Sequence, residues 1–125
     1  MQINLLAAWI GILLGFLSGM ALGLFFHREK WLGGYASFKR RMYRLAHISL
    51  FGLGAVNLLF YFTAGSVPPN SLFSIASSAF IVGAITMPVC CVLMAHFPNT
   101  RLLFALPVVS LVAGGALTLM GISKL

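Results

Sequence analysis

Acid is nearly missing from this sequence: Glu29 is the one Asp or Glu among 125 residues. A single carboxylate in a charged loop cannot supply paired-carboxylate hydrolysis or a carboxylate-rich Mg²⁺ or Ca²⁺ site within one chain. It also leaves no carboxylate inside the apolar segments, where proton- and sodium-coupled carriers usually keep an ionisable group. Cysteine is almost as scarce. Cys90 and Cys91 are adjacent, so on a helix they point about 100° apart. That geometry rules out an ordinary disulfide between them, and two thiols without a CxxC spacing are a poor zinc signal. They are expected to pack as small apolar residues. P-loop, GxSxG and HExxH patterns are absent too. The sequence offers no self-contained catalytic constellation.

What is present is apolar. Hydrophobic residues make up 61% of the chain and charged residues 7%, with a mean hydropathy of +1.05. Soluble domains carry about 25% charged residues, and lipid is the solvent that suits so apolar a chain. Four segments, Leu5–Phe26, Leu45–Thr63, Leu72–Ala95 and Leu102–Ile122, are each near the roughly 20 residues that cross a bilayer as a helix. They are apolar on all sides and lack the alternation of outer-membrane strands. These features predict an all-α integral membrane protein, a single domain over residues 1–125 with four transmembrane helices in a compact bundle. The first run has no basic residue before it and is longer than the roughly 7–15 residues of a signal-peptide core, so a retained helix is expected.

Lys and Arg then set the orientation. The stretch HREKWLGGYASFKRRMYRLAH, residues 27–47, carries Arg28, Lys30, Lys39, Arg40, Arg41 and Arg44, and Arg101 follows the third segment. Only Lys124 lies at the other end. The bias predicts a basic cytoplasmic loop over 27–44, both termini outside, and location in the bacterial inner membrane. It also argues against a dual-topology antiparallel dimer. Net charge of +7 next to membrane spans points to anionic headgroups, worth about 1 kcal/mol per basic residue, rather than to nucleic acid. Trp9 and Phe60–Phe62 would form the outer aromatic belt, and Trp31, Tyr35 and Tyr43 the inner one.

Within the helices, Gly11, Gly15, Gly19 and Gly23 recur every four residues. Such a stripe lets another helix backbone approach, either in the same chain or in another subunit. Asn57 is the one strongly polar residue deep in helix two, and an amide there needs a partner. Ser18, Ser78, Thr86 and Ser110 are expected at comparable depths, as register-fixing partners or as a polar path. Pro88 and Pro107 remove donors from the carbonyls of Ala84 and Leu103 and would bend helices three and four.

His27, His47 and His96 fall within about one turn of the basic interface. Arg44 shares the face of His47, with Arg40 one turn before it and Arg101 close by. Two imidazoles on facing helices can ligate haem iron while arginines hold its propionates, three can bind copper or zinc, and a quinone head or anionic lipid suits the same set. Solvated interfacial side chains are the plain alternative. Three functions follow as expectations. One is an accessory subunit that packs by its glycine stripe against a larger membrane complex, redox complexes included. A second is a b-type haem or quinone protein using His47 with His27 or His96. A third is a parallel homo-oligomeric channel or transporter built around Asn57.

Overall fold

A computed structural model describes Met1–Leu125 as four helices: α1 (Gln2–Phe26), α2 (Phe38–Gly65), α3 (Ser71–His96) and α4 (Ala105–Ser123). Short 3₁₀ turns occupy Trp31–Gly33 and Pro98–Phe104, and no strand is formed. Gln2–Phe26, Phe38–Gly65, Ser71–His96 and Pro98–Ser123 are all long and apolar enough to cross a membrane.

The helix ends differ from the apolar runs for local reasons. Ser37 caps α2 by accepting the Arg40 N–H at 3.2 Å, so the helix starts at Phe38 rather than Leu45. Lys39, Arg40, Arg41 and Arg44 are therefore helical, and the basic loop is shorter than 27–44. Asn70 caps α3 through the Leu72 N–H at 3.0 Å. The last helix starts at Ala105 rather than Leu102, leaving Arg101 in the preceding 3₁₀ turn. Pro107 thus lies in the first turn of α4, where N–H groups have no helical acceptor in any case, and the expected bend has no cause there. The carbonyl of Leu103 is taken by the Cys90 thiol at 3.5 Å. Helix α3 continues through Pro88.

The expected compact bundle is instead an open antiparallel row. Each helix packs mainly on its neighbours in sequence, and α1 meets α3 only briefly. Two seams use glycine in different ways. Between α1 and α2 the backbones themselves approach: a Cβ on Gly11 would lie 2.9 Å from the Leu50 carbonyl oxygen and 3.3 Å from the Gly54 Cα. One turn on, Gly15 faces the Phe51 ring, and Gly19 faces Cε1 of His47, each 2.8 Å from such a Cβ. Gly23 faces nothing within 4 Å. Three of the four glycines thus pack against α2 of the same chain.

Between α3 and α4 the glycines receive aromatic rings. A Cβ on Gly121 would lie 2.9 Å from the Phe73 ring, and one on Gly114 would lie 3.0 Å from the Phe80 ring, while Gly83 receives Leu111. Phe73 and Phe80 are two helical turns apart, as are their glycines, which sets an antiparallel register. Phe60 of α2 joins them with Ala76 in the one buried apolar cluster. Only 19 of 125 residues are buried, so most of the apolar surface faces outward. That is the surface lipid would cover.

The α1–α2 seam makes a selective prediction. Gly11→Leu should lower stability by about 2–3 kcal/mol, because a side chain there meets backbone that cannot move aside. Gly23→Leu should change it little. Denaturation of the purified variants in detergent, followed by circular dichroism, measures both.

Candidate functional site

Because α1 and α3 both stay on α2 while barely touching each other, a groove of about 980 Å³ runs between them. Its floor is one face of α2, made by Tyr43, Ala46, His47, Leu50, Leu53 and Gly54, which recur every three or four residues. Leu6, Ile10 and Leu14 of α1 form one wall, and Ile81, Ile85 and Val89 of α3 the other. Phe25 and Trp31 line its basic end, where their rings stack at 5.6 Å. A groove of this size, apolar with a few polar groups, matches the general form of small-ligand sites.

The polar groups gather in the half nearer the basic end. His47 is the one histidine that lines the groove, and Ser18 is beside it. The Ser18 hydroxyl lies 3.0 Å from the Gly15 carbonyl and 2.9 Å from Nδ1 of His47. When Ser18 donates to Gly15, its oxygen accepts from Nδ1–H, and Nε2 of His47 is left as an acceptor. Phe51 holds the other side of the imidazole edge to face, 5.4 Å between centroids. Across the groove, Ala84 and Pro88 belong to the wall, and Pro88 has no N–H to give the Ala84 carbonyl. Tyr43 completes the set. Its hydroxyl lies 2.7 Å from Nε2 of His96, with the rings edge to face at 5.8 Å.

The histidines therefore do not come together. His47 is with Ser18, His96 is held by Tyr43 outside the groove wall, and His27 is an exposed residue at the end of α1. No group of three His, Cys, Asp or Glu side chains has the proximity to hold a metal ion. Of the pair expected for haem, His47 has its Nδ1 engaged by Ser18 and His96 its Nε2 by Tyr43.

Asn57 also has a different setting from the one expected. Its partners are not Ser18, Ser78, Thr86 or Ser110 but Asn4 and, through Asn4, Ser77. Asn4 Nδ2 donates to Asn57 Oδ1 at 2.8 Å and lies 3.4 Å from the Ser77 carbonyl. The Ser77 hydroxyl donates to Asn4 Oδ1, and Asn57 Nδ2 donates to the Leu53 carbonyl at 2.9 Å. All three side chains are buried. This knot ties α1, α2 and α3 together one turn beyond the Gly54 end of the groove, and it keeps Asn57 fully buried among the helices. Thr86 and Ser78 bond back to their own helix, at Val82 and Ser74, and Ser110 of α4 takes no part in the groove.

At the basic end, Arg40 is fully buried. Its Nε donates to the Trp31 carbonyl at 2.7 Å, and Nη2 donates to the Arg28 carbonyl. The rings of Tyr35, Phe26 and Trp31 surround it at 4.4, 5.2 and 5.4 Å. This grip holds a turn in which Leu32 has φ 51° and Gly33 and Gly34 have φ 89° and 104°. A left-handed leucine costs about 1–2 kcal/mol, and the Ser37 hydroxyl steadies it by donating to the Leu32 carbonyl at 2.6 Å. Arg44 lies over Phe26 at 5.9 Å. Arg101 is exposed on the separate 3₁₀ turn.

Sequence reasoning missed Asn4 and Ser77. The signal for Asn4 was its place one residue before the apolar run, with a side chain that only another amide or hydroxyl could satisfy. No protein family, curated protein or solved structure matches this chain.

The knot can be measured directly. Asn4→Ala and Asn57→Ala should each destabilise the protein by about 1–2 kcal/mol. The double variant should lose clearly less than the sum, because each single change already breaks the shared bond. Strict additivity in a denaturation-based double-mutant cycle would show that the two amides act separately.

Proposed function

We propose that the chain is an integral protein of the bacterial inner membrane, with both termini outside, that binds an isoprenoid quinone in the groove between α1 and α3. The observation that carries this reading is a long apolar groove with its hydrogen-bonding groups concentrated toward one end. The apolar length of the groove suits an isoprenoid tail lying along α1 and α3, and the His47 end suits the polar ring. The groove runs between helices whose outer faces are apolar, so a membrane-dissolved ligand enters sideways without crossing water.

The hydrogen-bonding character of the head site refines the ligand. Nε2 of His47 is an acceptor in the tautomer in which the Ser18 hydroxyl donates to the Gly15 carbonyl. An acceptor suits a head that donates a proton, which is the dihydroxy, reduced form. The quinol is therefore the tighter ligand, and a quinone has to bind with His47 in its other tautomer. The basic loop carries the orientation signal and faces the cytoplasm, so the head site lies in the cytoplasmic leaflet.

Trp31 lines the groove and Trp9 is exposed on α1, which provides a reporter. In a Trp9→Phe background, a short-chain quinone should quench Trp31 fluorescence saturably, and the matching quinol should displace it. His47→Ala should weaken quinol binding about tenfold, the loss of one good hydrogen bond, while His27→Ala should leave it unchanged. Quenching that rises linearly with quinone and never saturates would sink the reading.

A further inference from the structure

We propose that Arg40, with Arg44 and Arg28, forms a binding site for the phosphate of an anionic lipid. The starting point is a buried charge without a counterion. Arg40 is fully buried, and its partners are two main-chain carbonyls and three aromatic rings, all neutral. Its Nη1 has no hydrogen-bond partner at all. A guanidinium stays protonated, and taking it out of water is compensated only by an anion and a full set of hydrogen bonds. The chain cannot supply that anion from an arginine cage with no carboxylate, since its one acid, Glu29, is exposed elsewhere in the turn.

The surroundings select what supplies it. The Arg44 guanidinium shares the Phe26 ring with Arg40, at 5.9 and 5.2 Å, and Arg28 lies over the adjacent Phe25 at 5.3 Å. Three guanidinium groups thus collect around two neighbouring rings at the end of α1. Their planar forks match phosphate oxygens, which accept several charge-assisted hydrogen bonds at once. Tyr35 is the exposed wall of the Arg40 cage, at 51%, so it is the ring that turns aside when an anion meets the buried Nη1. A lipid phosphodiester and free phosphate share this chemistry. The lipid is favoured because Phe25 and Trp31 continue directly into apolar surface that acyl chains can follow. The site shares Phe25 and Trp31 with the groove, but its charged group stands apart from the quinol reading. Arg40 is not part of the groove wall and precedes His47 by about two turns of α2. The arginine variants and His47→Ala therefore report on the two readings separately.

Native mass spectrometry of the full chain, released from nanodiscs of phosphatidylcholine with a minor share of phosphatidylglycerol, tests the proposal. The wild type should retain one phosphatidylglycerol per chain, well above its share in the bilayer. Arg40→Gln should lose it, and Arg44→Gln and Arg28→Gln should each weaken retention several-fold. Arg101→Gln, with the same change of charge on the separate 3₁₀ turn, should retain it fully. Circular dichroism establishes that Arg40→Gln folds; if it does not, the Arg44 and Arg28 variants decide alone. Unchanged retention in those variants, or an equal loss in Arg101→Gln, overturns the site. Displacement of the lipid by excess inorganic phosphate overturns the lipid as occupant and assigns the site to the free ion.

Discussion

An amide buried among apolar helices has few ways to be satisfied, and the Asn4 side chain uses the ones available by bonding to both α2 and α3. Unsatisfied, each of its groups would cost about 1–3 kcal/mol, so the three helices are held in one register at that end. The remainder of the architecture follows from this tie. Helix α1 leaves the knot packed against α2 through Gly11, Gly15 and Gly19, and α3 leaves it on the other side of α2. With nothing comparable joining α1 to α3 further along, the two diverge. The groove is the space that divergence opens, and α2 is its floor.

The second pairing, of α3 with α4, is built to a different rule. Rings of Phe73 and Phe80 seat on Gly121 and Gly114, so side chain meets backbone along this seam, whereas the α1–α2 seam adds a backbone-to-backbone contact at Gly11 and Gly54 to the rings on Gly15 and Gly19. Ring-on-glycine contact gains dispersion energy over a wide face, which matters where water is absent and burial of apolar surface gives no advantage over lipid. Helix α4 thereby stiffens α3 from behind. The wall carrying Pro88 and Ala84 is therefore backed by a packed helix, while the α1 wall is backed by nothing within the chain. If one wall of the groove moves to admit a ligand, it is α1.

The helices were legible in the sequence because apolar length alone determines them, and the four observed spans overlap all four apolar runs. Their ends were not, because Ser37 caps a turn of α2 whose residues are mostly charged, and hydropathy cannot see a cap. The glycine stripe was legible as a close-packing face, but its partner was not. Gly54 and Phe51 on α2 carry no comparable periodic signature. Asn57 was recognised as an amide in need of a partner. That partner sat in the first turn of α1, outside the apolar run, and the depth argument pointed to Ser18 and Thr86 instead. Equal depth brought three histidines to one interface, but depth does not fix which face each occupies. His47 faces the groove, while His96 turns to Tyr43.

The arginines carry the most compressed lesson about a chain with one acid. Positive charge gathers at one end of the molecule, and residues such as Arg101 lie exposed there. Arg40 is different because it has been withdrawn from water. A charge withdrawn in that way usually serves to fix a local conformation, and here it does so by gripping the carbonyls of Arg28 and Trp31 around a left-handed leucine. The guanidinium has donors beyond what the turn uses, and the surplus one, Nη1, has no acceptor. Arg44 shares the Phe26 ring with Arg40, and Arg28 lies over the adjacent Phe25, contacts worth about 0.5–1 kcal/mol each where exposed. The proposed phosphate would meet both needs of the buried Arg40 group, an acceptor for the surplus donor and a counterion for the charge.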